Sequence, residues 1–312
     1  MNTMQNEIVV GVSDNGSPSA VRFAVEEARR TRRPVHLIHV LQLPAGDAYA
    51  YLYGGAVESA TTVLETAVAQ AKELAGDDVN VTSELLDSGW VVEQLTLHTT
   101  ENQILVLEHR ALSRLHRVFS GSVAQSIAGR ARVPVISVPE GWTPRSVGAP
   151  VITAAVQDPL EAPVLLRAAF QEARDRRAAL VVLHAWWLAS GYDMTVVDAD
   201  MRAEWSERSK AELEPVLAPL RSAFPDVDVT IEVRHAPPVE AVLDAAETSD
   251  IVVLGRRHHL LPLGSHLGPV ARAALSHAAS PVIITPDAGI TVKEARRERR
   301  AGDLIDGLAP LY

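Results

Sequence analysis

One nineteen-residue pattern occurs twice: GSVAQSIAGRARVPVISVP from Gly121 to Pro139, and GPVARAALSHAASPVIITP from Gly268 to Pro286, 147 residues later. Both copies open on Gly-x-Val-Ala, run through a helical stretch and close on Pro-Val-Ile-x-x-Pro. A repeat near 145 residues is a domain duplication; solenoid repeats are several times shorter. The chain has 312 residues, enough for two units that each bury a core.

The remaining elements repeat as well. The first unit opens on an apolar run, Ile8 to Val12, followed by the turn-rich SDNGSPS and a helical AVRFAVEEARR, with Ser17-Pro18 placed as a helix start. PVHLIHVL (Pro34 to Leu41) reads as a second buried strand, and a helix follows over about Val57 to Leu74. VNVTSELLD, a helical VVEQLTLHTT, the strand QILVLEH and the first quoted stretch complete the unit. The second unit repeats the order through APVITAAVQ, PVLLRAAFQEARDR, AALVVLHAW, the long helix from Ala199 to Phe224, VDVTIEVRH, PVEAVLDAAETS and DIVVLGR. Residues 1–140 form the first domain and 149–287 the second, with 288–312 as a mixed-charge tail. Between them lies PEGWTPRSVGAP (Pro139 to Pro150), rich in Pro and Gly and without periodicity.

Short Val/Ile/Leu-rich strands alternating with helices specify the α/β class: two tandem doubly wound domains, each an open five-stranded parallel sheet with about four helices. A hydrophobic content of 47% with only 4% aromatics suits parallel strands under alanine-rich helices. The net charge of −10 argues against a general nucleic-acid binder, which needs a positive face to displace counterions. There are no cysteines, which excludes disulfides, thiolate metal sites and cysteine nucleophiles. The start lacks a signal-peptide pattern and no apolar run reaches bilayer length, so the expectation is a cytoplasmic protein with no membrane partner.

Open parallel sheets bind ligands beyond the carboxyl ends of the strands, where strand order reverses. The candidate loops in the first repeat are Ser13 to Ser17 and Glu108 to Ser120, with the helix start at Gly121, Ser122 and Val123. Those in the second are Gln157-Asp158, Gly255 to Leu267 and Gly268-Pro269. A helix start offers unpaired N–H groups and a positive dipole end to a phosphate. Gly121-Ser122 meets that need; the competing reading is that Ser122 only starts the helix. Gly268-Pro269 is poorer, because proline removes one N–H and is a common first helical residue on structural grounds alone.

The loops ahead of these helices are basic, with His109, Arg110, Arg114, His116 and Arg117 in one and Arg256, Arg257, His258, His259 and His266 in the other. Such loops either complement a polyphosphate or pair with the partner domain's surplus of carboxylates. The histidines lack zinc-ligand spacing, so no metal site is expected. No Gly-x-Ser-x-Gly elbow, Walker Gly-Lys-Ser/Thr or paired carboxylates occur, and nothing nominates a catalytic base. Trp186, Trp187 and Trp205 read as core or interface residues.

With its Ile-Val-Val-Gly-Val opening, Gly-Ser-Pro turn and Gly-Ser…Pro-Val-Ile ending, the chain resembles a tandem universal stress protein over about 6–139 and 149–286. The resemblance implies an adenine nucleotide alpha hydrolase-like, Rossmann-like fold, often dimeric through the last strand. In ATP-binding members a loop reading Gly-x-x-Gly, nine residues, Gly-Ser/Thr holds the phosphates. An Asp after the first strand and the residue ending the second hold base and ribose. Carried onto this chain, the resemblance assigns cofactor-binding roles to Ser13 at the Asp position with Asp14 beside it, Val40, Gly121, Ser122 and Val123. In the second repeat it assigns Gly255 and Gly268. The match is partial: the earlier glycines fall on Glu108 and Ala111 in the first repeat and on His258 in the second, whose last position is Pro269 and whose Asp position is Gln157. A carboxylate at Glu108 would repel a triphosphate unless turned away.

The expected function is therefore a non-enzymatic stress-response protein binding ATP weakly, mainly in the first domain, with magnesium only alongside ATP. The alternative is an interaction module that binds no nucleotide and acts through domain pairing and a protein partner. Internal pairing of the two domains, with or without a further homodimer, is expected in either case.

Overall fold

The computed structural model describes residues 6–42, 49–86, 89–100, 103–110, 123–145, 148–159, 162–188, 197–256 and 267–286. The first repeat runs β1 (Ile8–Val12), α1 (Pro18–Thr31), β2 (Val35–Val40), α2 (Tyr49–Ala75), β3 (Val81–Leu86), α3 (Val91–Leu97), β4 (Ile104–His109), α4 (Val123–Ala128) and β5 (Val135–Pro139). The second runs β6 (Val151–Ala155), α5 (Pro163–Arg176), β7 (Ala179–Trp186), α6 (Ala199–Ala223), β8 (Val229–His235), α7 (Pro238–Thr248), β9 (Ile251–Gly255), α8 (Pro269–His277) and β10 (Val282–Thr285). The tail 288–312 lies outside the described residues.

Each repeat forms the expected parallel five-stranded half, and the halves join edge to edge into one ten-stranded sheet. Its order is β3-β2-β1-β4-β5-β10-β9-β6-β7-β8. Every pairing is parallel except the seam, where β10 runs antiparallel to β5 with Val282 opposite Ser137 and Ile284 opposite Val135. Strands β1 and β5 are buried along their whole length, which is why they read as unbroken apolar runs. The outer edges, β3 and β8, carry Thr82, Ser83 and Glu84, and Thr230, Glu232 and Arg234, polar side chains that discourage further strand addition.

Helices cover both faces. One core gathers Ile8, Phe23, Leu37, Phe170, Leu180 and Leu213; the other gathers Val9, Ile38, Leu105, Leu183, Leu254 and Leu275. Each core contains residues of both repeats, so the seam lies inside a continuous interior. The segment after β5 is docked too: Trp142 meets the Phe23 ring edge-on at 5.2 Å, and Gly141 N–H donates to Ser19 Oγ at 2.9 Å.

Two local features depart from the sequence reading. Helix α2 starts at Tyr49 rather than near Val57, carrying the Gly54-Gly55 pair inside it. Helix α1 starts at Pro18 as expected, yet Ser17 makes no side-chain cap; it sits at φ 49°, in the left-handed region that non-glycine residues rarely occupy. Its hydroxyl accepts from Ser13 N–H at 3.0 Å and bonds Ser13 Oγ at 2.9 Å, which holds the SDNGSPS turn closed over the end of β1.

Candidate functional site

In each half the sheet order reverses between the first and fourth strands, β1/β4 and β6/β9, and a cavity opens beyond their carboxyl ends in both places. The first has a volume of about 200 Å³. Ser13, Asp14, Val40 and Val123 all line it, so four residues scattered over 110 positions meet at one site. Asp14 extends fully into solvent, whereas Val40 is buried. Gly121 and Ser122 lie outside the described residues, as do Ala111, Arg114, His116 and Arg117.

Glu108, at the end of β4, also lines this cavity, and its orientation answers the repulsion raised by the sequence. One carboxylate oxygen accepts from Ser19 N–H at 2.7 Å and Ala20 N–H at 3.2 Å, the first free donors of α1. It therefore supplies the cap that Ser17 does not, from 89 residues away, and it sits at the positive end of the helix. Its other oxygen is buried and has no hydrogen-bond partner among the described residues. Burial pushes the Glu108 carboxyl above the usual range, and the two backbone N–H groups only partly offset this.

A histidine not singled out in the sequence also belongs here. His39 is buried, with Nδ1 2.8 Å from the Val12 carbonyl and Nε2 3.9 Å from Asp14 Oδ1. Its counterpart His184 places Nδ1 3.0 Å from the Val156 carbonyl in the second repeat. The two lie 145 positions apart, so the duplication itself is the signal that finds them. In both, the ring clamps the end of the first strand of its repeat to the second.

The second cavity is about twice as large, at roughly 410 Å³. Gly255 and Gly268 line it, as assigned, together with Gln157 and Pro269. Gly268 precedes α8 in an extended conformation and no side chain caps that helix. The remaining wall is mostly apolar and includes Trp186 and Trp187, so two tryptophans expected in core or interface border a cleft. Trp186 stacks on Trp205 at 4.9 Å and meets His235 at a tilt of 41° at 4.3 Å, and Trp187 stacks on His235 at 4.9 Å.

The described arginines of the two basic loops have protein partners. Arg256 reaches across the seam to donate to the Ala131 carbonyl, and Arg110 lies 3.6 Å from Glu140. Among the described residues no three His, Cys, Asp or Glu side chains gather as a metal site. His258, His259 and His266 lie outside the described residues. No helix among the described residues is long and apolar enough to cross a membrane.

Residues 4–139 and 150–286 each match the model of the Universal stress protein family. A universal stress protein of Mycobacterium tuberculosis (strain CDC 1551 / Oshkosh) is 29% identical over 314 residues, covering 91% of this chain and 96% of the relative. A universal stress protein of Mycolicibacterium smegmatis is 28% identical over 285 residues, covering 89% and 96%. Among solved structures, a universal stress protein from Archaeoglobus fulgidus DSM 4304 superimposes with a TM-score of 0.63 at 15% identity, covering 92% of this chain and 99% of that one. At that identity the match speaks for the fold.

Proposed function

The chain belongs to the universal stress protein family, and on that premise we propose that it is a non-catalytic stress-response regulator whose first cleft binds an adenine nucleotide weakly. The observation that carries this reading is the convergence of Ser13, Asp14, Val40 and Val123 on one cavity at the switch point of the first half-sheet. Base and ribose would meet Val40, Ser13 and Asp14. The phosphates would fall to Gly121, Ser122 and the Val123 N–H, with any magnesium entering on the phosphates. Weakness follows from Glu108, which lines the same cavity and whose carboxylate already takes the Ser19 and Ala20 N–H donors at the start of α1. The absence of catalysis is supported by how the cleft's ionisable groups are used: Glu108 holds a helix end and His39 holds a strand end.

Titration calorimetry with ATP and Mg²⁺ tests this. The expected result is a dissociation constant on the order of millimolar, tightened about tenfold by Glu108→Gly and lost in Ser122→Pro. No heat and no thermal stabilisation at millimolar ATP, in both the parent chain and Glu108→Gly, would remove the nucleotide. The Glu108 contact also favours a second reading, in which the first cleft is already satisfied by its own carboxylate and the protein acts as a cytoplasmic interaction module. That reading predicts the null titration in both proteins.

A further inference from the structure

The two clefts occupy equivalent places but differ residue by residue. Gln42 in the first corresponds to Trp187 in the second, Leu41 to Trp186, Ser122 to Pro269 and Glu108 to Gly255. Each change removes a polar group or adds apolar surface. Beyond the two tryptophans, the second cavity is walled by Leu183, Val242, Leu254 and Ala271, of which Leu183 and Val242 are almost fully buried. At about 410 Å³ it falls within the range of small-molecule sites, roughly 300–1,000 Å³, whereas the first falls below it.

We propose that the second cleft is a binding site for a planar, uncharged aromatic or heteroaromatic small molecule. The charge follows from what surrounds the cavity. Among its described lining residues there is no Lys or Arg, and Pro269 removes an N–H from the start of α8. Arg256, next to Gly255, is directed to the Ala131 carbonyl on the other side of the seam. Among the described lining residues a phosphate or carboxylate would find no counter-charge to offset its desolvation.

The planarity follows from the ring ladder. Trp205, Trp186, His235 and Trp187 contact one another in succession: Trp205 stacks on Trp186, His235 is tilted by 41° against Trp186, and Trp187 stacks on His235 at 23°. Trp187 is thereby held as a flat wall before any ligand arrives, and a preorganised wall loses little entropy on binding. A polar handle is present as well. His184 spends Nδ1 on the Val156 carbonyl, and its other ring nitrogen has no partner among the described residues. A heteroaromatic N–H or hydroxyl can meet that nitrogen, which would fix the ligand's orientation.

The test uses the full chain and N-phenyl-1-naphthylamine, a neutral fluorophore with a flat naphthyl ring that brightens when desolvated. The expected result is saturable binding at one site per chain, with energy transfer from tryptophan, undisturbed by millimolar ATP. Trp187→Ala should weaken binding at least about tenfold while Trp187→Phe stays within about threefold, because a flat ring is retained. Ala271→Phe, which fills the cavity, should abolish it, and Ala155→Phe, at another small lining residue, serves as the second filling variant if Ala271→Phe fails to fold. Ser13→Ala and Glu108→Gln, in the other cleft, should leave it unchanged. The proposal is overturned by an absence of saturable binding, by two sites per chain, by indifference to both Trp187→Ala and the filling variants, or by displacement with ATP.

Discussion

A carboxylate that caps a helix 89 residues away makes Glu108 a structural residue on the wall of the first cleft. Its pKa is raised above 4.5 by burial, so the folded chain binds more protons than the unfolded chain in the window just above that value. Its contribution therefore falls as pH rises through the window, and Glu108→Gln should remove that decline in a pH series of thermal melts. Neighbouring His109 has the opposite sign. Burial, with a smaller push from His277, lowers its pKa from 6.5 to about 4, while Nδ1 lies 2.9 Å from Ser137 Oγ. Stability carried by neutral His109 is complete above 6.5 and is lost as pH falls towards 4, in total roughly 3 kcal/mol. His109→Gln should flatten that acid limb in the same melts; an unchanged limb would show that another group titrates there. At this scale the sequence was half legible. Glu108 stood out as a mismatch to a glycine position, but its contact with Ser19 and Ala20 depends on how β4 lies against α1. His39 and His184 were visible as a repeated residue, yet only the fold places both against a strand-end carbonyl.

Among the elements, the strands were the most legible because burial on both faces leaves an unbroken apolar run. Strand β1 and helix α5 fall on the residues the pattern assigns. Helix α2 starts at Tyr49, ahead of the Val57 that the pattern gives, and runs through Gly54-Gly55; packing of its later turns, through Leu64, Ala67 and Ala71, sustains a helix that glycine propensity alone disfavours. The segment after β5 was read as a linker without structure of its own, and the docking of Trp142 on Phe23 could not be seen from composition. That contact is testable: Trp142→Ala should destabilise the chain by about 2 kcal/mol, since a half-buried ring and its edge-on pairing are both lost. Urea unfolding followed by circular dichroism would measure it, and a shift near zero would mean that the segment is tethered only through Gly141 and Ser19.

For the molecule as a whole, the seam is reinforced by charge. Buried Glu27 of α1 is bonded by Arg176 of α5 and by Arg30, and Arg176 Nε donates to Glu172 at 3.0 Å. Arg30 also lies 3.6 Å from Glu172 and 3.7 Å from Asp175. Desolvation raises the Glu172 pKa, and Glu27 nearby adds to that effect while Arg176 opposes it. Arg176→Met leaves Glu27 buried without its cross-repeat partner, a change expected to destabilise by about 3 kcal/mol. Urea unfolding is expected to show one transition for the parent chain and two, one for each half, for Arg176→Met. The double variant Glu27→Leu with Arg176→Met should recover most of the loss, because no buried charge is left unpaired. Failure to recover would assign the loss to the cation's packing over Phe23 at 5.8 Å. The contact across the seam was not legible, since Glu27 and Arg176 are 149 residues apart and look like ordinary surface charges on helical patterns. The seam has one more consequence. Two copies of a single-domain protein meeting along such strands are identical by inheritance, so any mutation alters both clefts at once. Covalent fusion lifts that constraint: here one cleft carries Glu108 and Gln42 where the other carries Gly255 and Trp187, and the two unlike clefts are made in a fixed one-to-one ratio from a single reading frame.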